Sequence, residues 1–163
     1  MTGRLVAIAR RGARRAPMED IDAVAISVEA GLDGDHKGRK FPLRQVTILA
    51  TEAWQATLSD LAADVDRASL PWTVRRANLL VEGVTLPRAK GGLLQVGPVH
   101  LEITNQTVPC RRMEEAQEGL FKAMYKDWRG GVTCRVISGG ELVVGDAVEV
   151  LLSPPERRIR LPG

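Results

Sequence analysis

Cysteine is scarce in this 163-residue chain, which contains only Cys110 and Cys134. Two thiols cannot supply the roughly four thiolates of an iron–sulfur cluster or of a paired CxxC zinc site. A secreted disulfide framework usually has four or more cysteines in a shorter chain. The chemistry open to these two residues is therefore thiol chemistry or the ligation of a metal by a single sulfur.

Long apolar runs are also missing. The longest, such as NLLVEGV at 78–84 and ELVVGDAVEVLL at 141–152, fall far short of the roughly 20 residues that a membrane-spanning helix needs. The first twenty residues carry arginines but no apolar stretch of the length found in secretory signals. We therefore expect a cytoplasmic protein with no membrane partner.

Aromatic residues make up only 4% of the chain, and no strand interleaves aromatic and basic residues in the way that stacks bases. Nucleic acid is therefore not the expected partner, although the net charge is +3 and the pI is near 9.2. The positive charge is clustered at 10–15, at 37–40 and at 157–160. The two end clusters are typical of solvated surface, whereas the middle one suits a small phosphorylated ligand.

Short stretches of alternating polarity dominate the pattern. They are rich in Val, Ile and Leu and bounded by glycine or proline, which predicts strands. The predicted strands are RLVAIA (4–9), AVAISV (23–28), RQVTIL (44–49), NLLVEGV (78–84), LLQVGPVHLEIT (93–104), VTCRVI (132–137) and LVVGDAVEVL (142–151). So many short strands at short spacing indicate a mainly β protein, a barrel or a sandwich, in one compact domain.

Two segments have helical periodicity instead. Residues 51–68 place Trp54, Leu58, Leu61, Ala62 and Val65 on one stripe, with Thr51 as the expected N-cap. Residues 113–131 carry glutamates in the first turn and end at two glycines, which predicts a second helix. At least two helices should therefore flank the sheet.

Cys110 lies in TNQTVPCRRM, between a predicted strand and a predicted helix, and precedes Arg111 and Arg112. Adjacent cations and the start of a helix favour a thiolate, which can attack an electrophile, carry sulfur or ligate a soft metal. A small buried hydrophobe is the alternative for any cysteine. Cys134 fits that alternative, because it shares a strand face with Val132 and Val136.

Two further stretches carry candidate binding groups. GLDGDHKGRKFPLR at 31–44 combines glycines with Asp35, His36, several cations and Arg44, as a phosphate-binding loop or a basic surface loop would. Arg76 and Asn78 lie two residues apart, so on a strand they would face the same way. Spacing alone leaves a solvated surface pair as an equal alternative.

Taken in order, these stretches resemble the MOSC domain, named after the C-terminal domain of molybdenum cofactor sulfurases. The matching pieces are GLDGDHKG with RQVTIL and Glu52, RRANLLVEGV, GGLLQVGPVHLEIT, VPCRRM with Gly119-Leu120, and RGGVTCRVISGGELVVGDAVEV. The resemblance covers about Leu5 to Leu152, which assigns 1–152 to a MOSC domain and 153–163 to a basic C-terminal tail. It implies a β-barrel of the MOSC and pyruvate-kinase-barrel kind with flanking helices.

The resemblance also implies a pocket for molybdenum cofactor (molybdopterin). In that family the cysteine matching Cys110 ligates molybdenum or carries the sulfur destined for it. The residues matching Arg76 and Asn78, and the loop with Asp35, His36 and Arg44, would receive the pterin and its phosphate, with Arg111 beside them. The sequence therefore predicts a terminal oxidoreductase for N-hydroxylated small molecules, with Cys110 as the catalytic and metal-ligating residue.

The chain has no room for the desulfurase or the iron–sulfur reductase module that some relatives carry. We therefore expect a separate electron-donor protein or a sulfur-donating desulfurase as partner, and the sequence allows a homodimer. One alternative is a non-redox carrier that holds sulfur on Cys110 as a persulfide or delivers cofactor. A remoter alternative is a basic β-barrel that binds nucleic acid.

Overall fold

The computed structural model describes residues 2–156, so the basic cluster predicted at 157–160 lies outside the described residues. In this range the chain forms eleven strands, three α-helices and two 3-10 helices. The strands are β1 Thr2–Arg10, β2 Glu19–Ile21, β3 Ala23–Ser27, β4 Gly31–Leu32, β5 Val46–Ala50, β6 Leu79–Glu82, β7 Leu93–Val96, β8 Val99–Gln106, β9 Val132–Ser138, β10 Gly140–Val143 and β11 Ala147–Leu152. The helices are α1 Thr51–Ser59, α2 Arg111–Ala116 and α3 Leu120–Tyr125, and the 3-10 helices are Arg67–Ser69 and Trp72–Arg75.

Seven strands form a closed barrel in the order β1-β11-β7-β8-β9-β5-β6, because β1 pairs with both β6 and β11. The β5–β6 pair is parallel and the other six pairs are antiparallel. Closure leaves this sheet without an open edge among the barrel strands. Strand β2 adds to β1, and β10, β3 and β4 form a separate three-stranded sheet. The prediction of a mainly β barrel with flanking helices is confirmed.

Alternation along the strands divides the buried residues into two clusters. The inward-facing residues of β5 and β6, such as Ile48 and Val81, join the cluster that fills the barrel. Their outward-facing neighbours Leu49 and Leu80 join a second cluster under the helices, with Trp54 and Met124. Cys134 is fully buried in the first cluster, as predicted, and burial raises the pKa of its thiol.

The first predicted helix is much shorter than expected, because it ends at Ser59 rather than near residue 68. Arg67 folds back and donates to the carbonyl oxygens of Leu58, Leu61 and Val65. These bonds satisfy backbone acceptors that a further helical turn would have satisfied. The N-cap is Ala50 rather than Thr51, although Leu61 still packs under the helices as its periodicity predicts.

The second predicted helix is two short helices. Gly119 has a φ of 87°, a conformation that interrupts a helix and that glycine adopts readily. The Glu114 carboxylate then accepts hydrogen bonds from the backbone amides of Gly119 and Phe121. The last helix ends at Tyr125, well before the two glycines that were expected to end it.

None of the helices in residues 2–156 has the length and apolarity needed to cross a membrane.

Candidate functional site

The loop between β4 and β5 brings Lys37 against the starts of β5 and β6. Its ammonium donates to Thr47 Oγ1 at 3.1 Å and to Asn78 Oδ1 at 3.2 Å. Asn78 Oδ1 also accepts from the backbone amide of Thr47, and its Nδ2 donates to Ala9 O. The side-chain oxygen of Asn78 is therefore engaged within the protein, where it supports Lys37.

Asp35 fixes the shape of this loop. Its carboxylate accepts hydrogen bonds from the backbone amides of Arg11 at 3.1 Å and Lys37 at 3.3 Å. The backbone amide of His36 donates to Arg11 O, which ties the loop to the end of β1. A Cβ at Gly38 would collide with Ala30 O, so the loop closes only because position 38 lacks a side chain.

Burial lowers the pKa of Lys37 to about 8. The negative charge of Asp35 raises the pKa of Lys37, whereas the positive charges of Arg11, Arg44 and Arg75 lower it further. A buried ammonium among three guanidinium groups is disfavoured unless an anion joins it.

Arg75 is the most deeply buried cation of the group, with 7% of its surface exposed. Its Nη2 donates to Thr107 O at 3.1 Å, and its buried Nε has no hydrogen-bond partner among residues 2–156. Burial lowers the pKa of Arg75 to about 10, and the neighbouring Cys110 acts on this pKa in the opposite direction. Within residues 2–156 no carboxylate pairs with either Arg75 or Lys37.

Cys110 is exposed and occupies the N-cap position of α2, where its carbonyl oxygen accepts from Met113 N. The segment leading to it is fixed from two sides, because Thr107 O accepts from Arg75 and Thr107 N donates to Gly131 O. Gly130 fits closely against this segment, since a Cβ there would collide with Thr107 O. Cys110 is therefore exposed at the end of a well-anchored segment, near the buried guanidinium of Arg75.

A second tier of cations lies closer to solvent. The guanidinium of Arg11 is partly buried, which lowers its pKa, and Arg76, Arg112 and Arg14 lower it further. Arg76 Nη1 donates to Arg14 O at 3.3 Å. The site thus combines one thiol with buried and half-buried cations, an arrangement suited to an anionic ligand that also contains a soft atom.

Arg76 and Asn78 do not lie on one strand face, contrary to prediction. Arg76 ends the 3-10 helix with a φ of 63°, and β6 begins only at Leu79. Arg76 nevertheless reaches the outer cations, whereas Asn78 lies at the base of the loop under Lys37.

The remaining predicted residues, Arg44, His36 and Arg111, differ in burial and in which charged groups they lie near. Arg44 is exposed but close enough to lower the pKa of Lys37. His36 is partly exposed, and burial, Lys40 and Arg11 lower the pKa of its imidazole. Arg111 lines a shallow depression with Glu114 and Lys122, so Arg112 is the arginine that faces Arg11.

Sequence reasoning missed the two buried cations. Lys37 was one of several cations in a glycine-rich loop, and Arg75 was the neighbour of a chosen arginine. The signal for Arg75 was present, because a basic residue directly before Arg76-Ala77-Asn78 interrupts a largely apolar segment. Only the tertiary structure shows that both side chains turn inward toward one place.

In the described range no three His, Cys, Asp or Glu side chains gather into a site for a metal ion. The thiol of Cys110 is therefore the soft ligand that the chain itself offers here, and the unpartnered Arg75 Nε and the surrounding cations fit a polyanionic group that brings its metal with it.

The closed barrel has counterparts among known proteins, and a family model assigns the chain to a class. The chain belongs to the MOSC domain family, whose model matches residues 35–149. No curated protein matches the chain.

Solved structures with the same fold include the YuaD protein of Bacillus subtilis, at 17% identity and a TM-score of 0.74 over 92% of this chain and 96% of that one. YiiM from Escherichia coli matches at 15% identity and a TM-score of 0.67 over 94% of this chain and 72% of that one. YiiM from Geobacillus stearothermophilus matches at 13% identity and a TM-score of 0.66 over 92% and 75%. At these identities the likeness extends to the fold.

Proposed function

We propose that this protein binds molybdenum cofactor at the Cys110 site and acts as a terminal oxidoreductase for N-hydroxylated compounds. The observation that carries the proposal is the pair of cations formed by the partly buried Lys37 and the buried Arg75, which have no carboxylate ion-pair partner in the described structure and lie near an exposed thiol. The MOSC family is associated with this cofactor.

The residues have separable tasks. The Cys110 sulfur would ligate molybdenum, and the nearby guanidinium of Arg75 would stabilise the negative charge of the bound group. Arg11, Arg76 and Arg112 lie nearer solvent, where each guanidinium group could bind two phosphate oxygens. Lys37, held by Thr47 and Asn78, would add a partly buried positive charge.

The bound group would supply two-electron transfer to the substrate. Reduction of an N-hydroxylated base follows R–NHOH + 2 e⁻ + 2 H⁺ → R–NH₂ + H₂O, and a separate protein must deliver the electrons. We place the protein in the cytoplasm, where it would meet that donor.

The proposal is tested by isolating the protein from a host that makes the cofactor, reducing it with dithionite and adding benzamidoxime. We expect conversion to benzamidine by the wild type and at least a hundredfold less by Cys110→Ser. Glu115→Ser is the matched control, because it alters an exposed residue of the same helix that has no assigned role, and it should retain activity. Equal conversion by wild type and Cys110→Ser would rule out the proposed role of the thiol.

A sulfur or cofactor carrier is the second candidate, and the exposure of Cys110 favours it, since a partner protein can reach the sulfur. Intact-mass measurement would then find an added sulfur atom on wild type but not on Cys110→Ser. The carrier also predicts no conversion of benzamidoxime by either protein.

A further inference from the structure

A second concave site lies apart from Cys110. It is a cavity of about 520 Å³ between the start of α1, the segment 83–88 after β6, and the segment 127–132 that enters β9. Cys110, Lys37 and Arg75 are not among its lining residues. Its volume lies within the roughly 300–1,000 Å³ that small-molecule sites occupy.

The walls are largely apolar. Ala53 and Ala56 of α1 face Val84, Leu86 and Pro87, with the indole of Trp128 on the third side. Such walls suit a molecule with a flat apolar body.

The backbone that presents Trp128 is unusual. Asp127 and Trp128 have φ values of 57° and 54°, a region that residues other than glycine rarely adopt. The turn is held by hydrogen bonds from Arg129 N to Lys126 O and from Gly131 N to Trp128 O. Trp128 also packs against the cluster that fills the barrel, so its indole is held in place before any ligand arrives.

Two carboxylates and two guanidinium groups line the cavity, and they differ in how far the protein already uses them. Arg129 donates to Asp60 Oδ2, which also pairs with Lys126, and to Ala123 O. Glu52 accepts a hydrogen bond from Gly83 N through one oxygen, and Asp127 forms no ion pair with any residue in 2–156. Glu52, Asp127 and Arg88 are all exposed, and the second oxygen of Glu52 is the acceptor that our proposal uses.

We propose that this cavity is a second small-molecule site, which binds a planar aromatic cation such as an aryl amidine. The aromatic ring would lie among Trp128 and the aliphatic walls, and the cationic group would face the carboxylate of Glu52. A tryptophan face and a carboxylate both favour a positive ligand charge. This site stands independently of the function proposed for Cys110, because the two share no lining residue.

The test is a calorimetric titration of the full chain with three probes of nearly equal shape: benzamidine, benzamide and benzoate. We expect saturable binding of benzamidine, binding of benzamide at least tenfold weaker, and no measurable binding of benzoate. Cys110→Ser should bind benzamidine as the wild type does, so this result and the molybdenum measurement can fail separately.

Variants locate the site. Glu52→Gln removes one charge but retains an oxygen that can accept from Gly83 N, and we expect it to weaken benzamidine binding about tenfold, or about 1.4 kcal/mol. Glu115→Gln makes the same charge change on the exposed face of α2 and should leave binding unchanged. Ala56→Phe, which fills the cavity, should abolish binding while circular dichroism confirms the fold.

Three outcomes would overturn the proposal. They are the absence of saturable benzamidine binding, equal binding of all three probes, and equal binding by wild type, Glu52→Gln and folded Ala56→Phe.

Discussion

At the scale of single residues, the site depends on cations that the protein buries without neutralising. Lys37 and Arg75 both have lowered pKa values because burial disfavours their charge, and neither has a carboxylate partner within the described chain. The apo protein therefore holds unfavourable charge that a bound anion would relieve. Asp35 partly offsets this cost at Lys37, but the pKa of Lys37 remains lowered.

Lys37 gives a pH dependence of stability with a definite sign. Its pKa is about 8 in the folded protein and about 10.5 when unfolded, so between these values the unfolded state binds more protons. The cost of burying the charged form is present below pH 8 and disappears as the pH rises toward 10.5. The free energy of unfolding of wild type should therefore rise relative to that of Lys37→Met between pH 7.5 and 10.

Urea denaturation of both proteins at pH 7.5, 8.5 and 9.5 measures this difference. If the free energy of unfolding of wild type minus that of Lys37→Met stays constant or falls as the pH rises over this range, the pKa of Lys37 is not lowered by burial.

Single residues also show which features of the site could be predicted from the sequence and which could not. The exposed position of Cys110 and the burial of Cys134 followed from their neighbours, one before two arginines and one between alternating valines. The inward turn of Arg75 did not, because it depends on Thr107 O, which lies 32 residues away. The functional roles assigned to Asp35, His36, Arg44, Arg76, Asn78, Arg111 and Cys110 stay predictions.

At the scale of elements, strands were more predictable than helices. Alternation with β-branched residues marks β1, β5 and β9 directly, because one face of each packs into the barrel. Helix lengths were overestimated because periodicity does not reveal a long-range cap such as Arg67, or a carboxylate such as Glu114 that begins a new helix. The short strands β2 and β4 have too few residues to show a period.

In the turn that links the last helix to β9, adding a single methyl group should lower the stability of the protein strongly. Gly131 has a φ of 89°, and a Cβ there would collide with Ile48 O. We expect Gly131→Ala to lower the free energy of unfolding by about 3 kcal/mol, from backbone strain and overpacking together.

Gly145→Ala is the matched control, because Gly145 has a φ of 102° but no neighbouring atom within 4 Å. It should cost about 1 kcal/mol from strain alone. Urea denaturation giving equal losses for the two variants would contradict the close packing of Gly131 against β5.

At the scale of the whole molecule, the closed barrel provides the rigid support on which the loops build both sites. Pairing of β1 with β11 joins the two ends of the described chain, and the fully buried Leu5 lies where β1 contacts the barrel interior. The prediction of a domain over 1–152 with a tail over 153–163, and of a homodimer, stays a prediction.

Barrel closure predicts that two chemically identical substitutions on paired strands will differ sharply. Leu5→Ala should lower the free energy of unfolding by about 3 kcal/mol, because it opens a cavity in the barrel. Leu151→Ala on β11, where the side chain is 47% exposed, should cost less than about 1 kcal/mol. Similar losses by urea denaturation would mean that Leu5 does not lie in a packed interior.

The central claim is that Cys110 and the buried cations hold molybdenum cofactor. The most direct test is molybdenum per chain, measured by mass spectrometry on wild type, Cys110→Ser and Glu115→Ser purified from a host that makes the cofactor. We predict close to one molybdenum atom per chain in wild type and Glu115→Ser, and at least tenfold less in Cys110→Ser. Equal molybdenum in wild type and Cys110→Ser, or none in any of the three, would contradict the claim.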